Sequence, residues 1–187
     1  MRLLFLENRD SFSWNVLDRL PFPRSAITIR DGHEAGLDPQ ALQGFDAIVI
    51  GPGPTDPIRA GLVGLVGDAA RRRLPMFGIC LGFQSIGLAF GASLVRTRPA
   101  HGMTSTALFT PSRLFPGFVG PQTVMRYHSL SLSAVCLPLR VVASTEDGIP
   151  MAVEHDWLPI AGVQFHPDSY ATPHGTGMFE AFFESIR

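Results

Sequence analysis

Pro75-Met76-Phe77-Gly78-Ile79-Cys80-Leu81-Gly82-Phe83-Gln84 reads as strand, nucleophile, helix. Glycines two before and two after Cys80 let the chain turn sharply with no Cβ in the way. This is the cysteine counterpart of the Gly-x-Ser-x-Gly elbow, which holds a nucleophile over the edge of an α/β sheet. A helix starting at Leu81 directs its free N–H groups and positive dipole end at the sulfur, which favours thiolate over thiol. A free cysteine is more commonly a small buried hydrophobe. The paired glycines set Cys80 apart from that norm, whereas Cys136, in Ala134-Val135-Cys136-Leu137-Pro138, has only apolar neighbours and reads as packing.

Outward from the elbow, short apolar and β-branched runs read as strands at 3–6, 26–29, 46–50, 75–79, 93–95, 105–109, 123–127, 141–143, 151–153 and 160–165. Helical patterns lie between the early ones, at 11–20 behind an Asp10 cap, at about 58–73 and at 81–90, and a last helix falls near 177–186. Strand–helix alternation implies an α/β fold: an open, mostly parallel mixed sheet with helices on both faces. The strand-rich second half adds an antiparallel extension, and residues 1–187 read as a single domain.

In such sheets ligands sit beyond the carboxyl ends of the strands. Three segments meet that condition: Gly51-Pro52-Gly53-Pro54 after Ile50, Cys80 after Ile79, and His166-Pro167-Asp168 after Phe165. Of six histidines, His166 has the surroundings of a base for Cys80. Pro167 keeps the chain extended, so Asp168 can orient the imidazole and leave the other ring nitrogen for the thiol. Acyl chemistry also needs donors for a developing oxyanion. The N–H of Leu81, just after the nucleophile, and that of Gly53, which no side chain obstructs, are the candidates.

Composition narrows the chemistry further. The chain has 15 Arg and no Lys, which excludes Schiff-base chemistry and a P-loop. A net charge of −1 leaves no nucleic-acid footprint. Arg71-Arg72-Arg73 reads as a solvated helix C-terminus and His33 as surface loop. Residues 74–95 are uncharged, yet Pro75, Gln84, four glycines and two serines argue against a membrane span. The apolar run at the N-terminus is too short for a signal-peptide core, which places the protein in the cytoplasm. No cluster has metal-ligand spacing, and neither a metal nor another cofactor is expected.

With these segments together, the chain resembles the class I (triad-type) glutamine amidotransferases, and within them the glutaminase subunit of anthranilate synthase or aminodeoxychorismate synthase. Glu7-Asn8-Arg9-Asp10-Ser11-Phe12-Ser13-Trp14-Asn15 is similar to that branch's N-terminal signature, and Tyr127-His128-Ser129-Leu130 to its glutamine-site segment. Residues 162–169, Gly-Val-Gln-Phe-His-Pro-Asp-Ser, with Thr172-Pro173-His174-Gly175, match its C-terminal block. The resemblance implies a Cys80–His166–Asp168 triad that hydrolyses L-glutamine through a cysteinyl thioester. It implies that Gly51, Pro52, Gly53, Leu81, Gln84, Ser129 and Leu130 hold glutamine. It also implies a hetero-oligomer in which ammonia passes to a chorismate-binding synthase subunit, so that the aromatic product is chosen by the other chain.

Three positions and one segment depart from the family pattern. Asp168 stands where the family usually has Glu, so either the backbone shifts or His166 is held less firmly, and the expectation is activity retained, in full or at a reduced level. Phe83 replaces the histidine of Gly-His-Gln, an effect confined to the supporting shell. Met103 stands at a position generally occupied by lysine, which bears on coupling to the synthase. Pro54-Thr55-Asp56-Pro57 differs from the common arrangement after Gly-Pro-Gly. Two other readings share the elbow: a stand-alone cysteine amidase or γ-glutamyl hydrolase, and a non-catalytic regulatory subunit on the same fold.

Overall fold

The computed structural model of the protein describes residues 1–38 and 40–187. Nine strands form one sheet. They are β1 (Leu3–Glu7), β2 (Ile27–Asp31), β3 (Ala47–Ile50), β4 (Met76–Ile79), β5 (Ser93–Phe109), β6 (Gly120–Ser133), β7 (Leu139–Ser144), β8 (Pro150–His155) and β9 (Ile160–Val163). Their spatial order is β2-β1-β3-β4-β9-β8-β7-β5-β6. The first five are parallel and the rest antiparallel, as the alternation of elements predicts.

The inner parallel strands β1, β3, β4 and β9 are apolar because both faces are covered, whereas β2, at the edge, carries Thr28, Arg30 and Asp31. Leu3, Phe5, Val49, Phe77 and Ile79 enter one core, with α1 (Ser13–Arg19) and α5 (Gly175–Ser185) packed over it. There Phe77 meets Phe179 and Phe182 at centroid distances of 5.3 and 5.2 Å. Leu4, Leu6, Ile48, Ile50 and Met76 enter the opposite core, against α2 (Gly32–Leu37), α3 (Leu62–Arg71) and α4 (Leu81–Ala89). Phe83 lies in this second core, fully buried, which accounts for an apolar residue at that position.

Several boundaries differ from expectation. The runs at 93–95 and 105–109 belong to a single strand, β5. Its middle carries Arg96, Arg98, His101 and Gly102, mostly exposed, so no apolar alternation marks it, and pairing with β6 makes it a strand. The last strand ends at Val163, because Gln164 N–H turns to Met151 O and His166 N–H to Met125 O. Asp10 is not the cap of α1. Its Oδ1 accepts from Phe12 N–H in a turn that precedes the helix. Residues 56–61 form turns before α3, with Asp56 Oδ1 accepting from the N–H groups of Ile58 and Arg59. α3 ends at Arg71, so the arginine run does sit at a helix C-terminus.

His33 is exposed as expected but helical, since Asp31 Oδ1 accepts from the N–H groups of His33 and Glu34 and opens α2. Cys136 is exposed and not a packing residue. It lies in the turn between β6 and β7, where its neighbour Val135 takes the inward place. The uncharged stretch 74–95 divides into β4, α4 and the start of β5. Among the described residues no helix is long and apolar enough to cross a membrane.

Candidate active site

The elbow is tight enough to require both glycines. Cys80 sits at φ 49°, ψ −96°, a conformation that costs a non-glycine residue free energy and is held by its surroundings. Its N–H donates to Val163 O at 2.9 Å, and its carbonyl accepts from Gln84 N–H at 3.0 Å. A Cβ on Gly78 would lie 2.5 Å from Gly82 C, and one on Gly82 would lie 2.3 Å from Ile50 O. α4 therefore rests directly on β3 and β4, with its first turn behind the sulfur.

His166 arrives from the far side. Its N–H is fixed to Met125 O on β6, and Thr172 Oγ1 donates to His166 O at 2.7 Å while accepting from Met125 N–H at 3.0 Å. The imidazole lies between Tyr127 and Phe12, at centroid distances of 5.1 and 5.6 Å. Phe12 is delivered by the N-terminal signature itself, in which Glu7 Oε1 accepts from Asp10 N–H and Ser13 Oγ. Asn8 ties the next loop down, its Nδ2 donating to Leu6 O and Gly51 O.

The His166 Nδ1 and Asp168 Oδ1 atoms are 3.3 Å apart but out of line, and neither carboxylate oxygen receives a hydrogen bond. No hydrogen bond from Asp168 therefore fixes the ring on this side. Asp168 lies against a neighbouring cavity of about 340 Å³ bordered by Asn15, Arg19 and Tyr170. One more methylene would bring the carboxylate toward the ring, so Asp168→Glu is expected to raise kcat for glutamate release severalfold. A fall in kcat would count against the short side chain as the cause.

Two buried histidines carry opposite electrostatics. Burial favours a neutral ring at His166, but contact with Asp168 and Cys80, and the negative charge on both, outweighs it and pushes the pKa up to about 10. At His128 burial and the Arg126 charge, aided by His166 and His101, outweigh the bond to Leu130 O and lower the pKa to about 4. The linkage signs are opposite. The His166 contribution to stability is complete below the ordinary value of 6.5 and is lost as pH rises through about 10. The His128 contribution is complete above 6.5 and is lost as pH falls through about 4. Urea midpoints are thus expected to peak near neutrality, with the alkaline fall flattened in His166→Asn and the acid fall flattened in His128→Gln. Unchanged limbs in those variants would refute the assignment.

Between these parts lies a cavity of about 320 Å³. Of the residues proposed from sequence, Cys80, Gly53, Gln84, Ser129, Leu130 and His166 line it. Gly51, Pro52 and the side chain of Leu81 stand behind that wall. Gly51 N–H is taken by Leu6 O, and Leu81 packs where a Cβ on Gly53 would fall, 2.7 Å from it. Phe12, Tyr127, His128 and His101 also line the cavity, though only their sequence neighbourhoods mark them. Gln164 was not singled out. It lies two residues before His166, and its Nε2 stands 3.6 Å from Cys80 Sγ. Among the described residues no group of three His, Cys, Asp or Glu converges as metal ligands.

A buried cysteine on a strained elbow, in contact with a buried imidazole at the wall of a small cavity, is an arrangement for acyl transfer from an amide. Residues 4–186 match the family described as glutamine amidotransferase class-I. The chain belongs to the class-I glutamine amidotransferases. Anthranilate synthase component 2 of Mycobacterium tuberculosis is 40% identical over 181 residues, covering 94% of this chain and 78% of that one. Aminodeoxychorismate/anthranilate synthase component 2 of Bacillus subtilis is 36% identical over 188 residues, covering 99% and 97%. The crystal structure of a glutamine amidotransferase from Thermotoga maritima superposes with a TM-score of 0.80 at 14% identity, covering 100% and 97%. That last likeness is one of fold, and it extends the parallel sheet and its antiparallel extension to a distant amidotransferase.

Proposed function

We propose that this amidotransferase hydrolyses the side-chain amide of L-glutamine and passes the ammonia to a chorismate-using synthase subunit in the same assembly. The observation that carries the reading is the cavity in which Cys80 and His166 face the Ser129–Leu130 edge, in a chain similar over nearly its whole length to component 2 of such synthases.

Cys80 Sγ attacks the amide carbon, and the carbonyl oxygen takes up negative charge beside the N–H groups of Leu81 and Gly53. As the intermediate collapses, the carbon–nitrogen bond breaks and the His166 proton goes to the departing nitrogen, giving ammonia and a thioester. Water then loses a proton to His166 as it adds to the thioester, and cleavage of the carbon–sulfur bond returns the sulfur and releases glutamate. Asp168 orients His166. Gly51 and Pro52, held by Asn8 and Leu6, support the loop that presents Gly53, while Gln84, Ser129 and Leu130 position glutamine. We assign these roles within a single domain spanning 1–187, with no metal or other cofactor in the reaction.

The test is glutamate release by the purified chain, alone and with a chorismate-binding synthase subunit plus chorismate. Release that rises on adding both partner and chorismate is expected, with the aromatic product naming the pathway. Equal release with and without them would point to a stand-alone amidase, and none in either condition from a folded protein would point to a regulatory subunit.

A further inference from the structure

Building on the glutaminase reading above, we propose that Arg126 is a positioning residue. Its guanidinium fixes the His128 ring so that His128 Nδ1–H holds the Leu130 carbonyl, and with it the Ser129–Leu130 edge of the glutamine cavity.

Arg126 is only 7% exposed, and its Nε donates to His128 Nε2 and its Nη1 to Ser105 Oγ, each at 3.0 Å. Burying a guanidinium costs free energy, so a charge kept here for packing alone would be outdone by an apolar side chain. What the planar fork supplies is direction. An Nε2 that accepts from Arg126 leaves the proton of a neutral imidazole on Nδ1, which lies 2.8 Å from Leu130 O. The charged groups that act on the ring are Arg126, His166 and His101, all cations or potential cations, and they oppose a second proton.

The same Leu130 carbonyl accepts from Gln84 Nε2 at 3.3 Å, and Gln84 Nε2 also lies 3.2 Å from Gln164 Oε1. Gln164 Nε2 completes the sequence at Cys80 Sγ. A continuous run of polar contacts thus joins Ser105, on β5, to the nucleophile. Its one tautomer-dependent joint is His128. With the proton on the wrong nitrogen, two lone pairs would face each other at Leu130, and the edge that receives glutamine would move away.

The test uses the full chain. Side-chain ¹⁵N shifts are expected to show the wild-type His128 proton on Nδ1 at neutral pH. In Arg126→Met, which keeps the stem and removes the fork, both tautomers are expected. The His128 titration midpoint should rise from about 4. The KM for glutamine is expected to rise about tenfold, with kcat within about threefold of the parent. A wild-type His128 protonated on Nε2 overturns the proposal without any variant, and so does an Arg126→Met protein with unchanged tautomer and KM, or one that loses kcat at constant KM. If Arg126→Met does not fold, Ser105→Ala frees one arm of the fork and is expected to raise KM by a smaller factor, no change being a refutation. A wild-type chain that releases no glutamate fails the glutaminase reading, while the tautomer still decides the role of Arg126 at Leu130.

Discussion

Cys80→Ser is expected to fold like the parent and to lose glutamate release by about 10⁵-fold or more, as removal of a nucleophile does where acyl transfer proceeds through it. The substitution exchanges one atom for a smaller one at a fixed position, so the backbone bonds from Cys80 N–H to Val163 O and from Gln84 N–H to Cys80 O persist. A hydroxyl in the same place keeps its proton near neutral pH and lacks the electron-rich sulfur that attacks an amide. The cavity is unchanged, so glutamine should still bind and still raise the thermal midpoint. Full activity in Cys80→Ser would show that the elbow cysteine does not form the acyl bond. Lost activity together with a collapsed thermal midpoint would show a structural role instead.

Gly82→Ala is the second large effect, and it attacks the same site through backbone. The new methyl would lie 2.3 Å from Ile50 O and 2.9 Å from Ile50 Cβ, and the carbonyl belongs to a parallel strand with no freedom to swing away. α4 must lift from β3 and carry Cys80 with it, while Ile50 leads directly into the Gly51–Gly53 loop. A displacement of about 1 Å at reacting atoms costs on the order of 10²-fold in rate. Overpacking of this kind costs about 1–3 kcal/mol or more of stability. Gly64→Ala is the matching control. Its Cβ meets nothing within 4 Å on the exposed side of α3. There alanine is expected to stabilise the protein by about 0.5–1 kcal/mol, because glycine is the poorer helix former. Kinetics and urea midpoints on the two variants distinguish a glycine the geometry needs from one it tolerates. A Gly82→Ala protein of parental rate and stability would refute the close approach.

The same contrast explains what could be read before any coordinates. The parallel half was legible because both faces are buried, so β1, β3 and β4 are unbroken apolar runs bounded by turn residues. The elbow was legible because the close approach forces glycine at two fixed offsets from Cys80. The middle of β5 was not, because pairing with β6 and not burial makes it extended, and Arg96 to Thr104 carry no alternation. The short helix at Gly32 was missed for a related reason, its opening set by one carboxylate, Asp31, and not by a hydrophobic stripe.

Within the site, Cys80 and His166 stood out from their immediate neighbours. The separation of Gly53, which reaches the cavity, from Gly51 and Pro52, which support it, depends on where Asn8 and Leu6 make their bonds. That is a contact between segments more than 40 positions apart, and no local pattern carries it. Arg126 and Gln164 stayed hidden because their side-chain partners include residues far away in the chain, Ser105 on β5 for Arg126 and Cys80 and Gln84 at the elbow for Gln164.

The order of the strands also dictates when the site can exist. β4, which leads directly into Cys80, has β9 as its neighbour on one side, and β9 is the last of the strands in chain order. Closing a loop of that length is entropically slow, so the two strands meet late in folding. On a ribosome, the elbow emerges with one side of β4 unpaired until residues 160–163 follow. A nascent or truncated chain therefore has an open apolar strand beside Cys80, which makes it a target for chaperones and aggregation before the cavity around Cys80 exists.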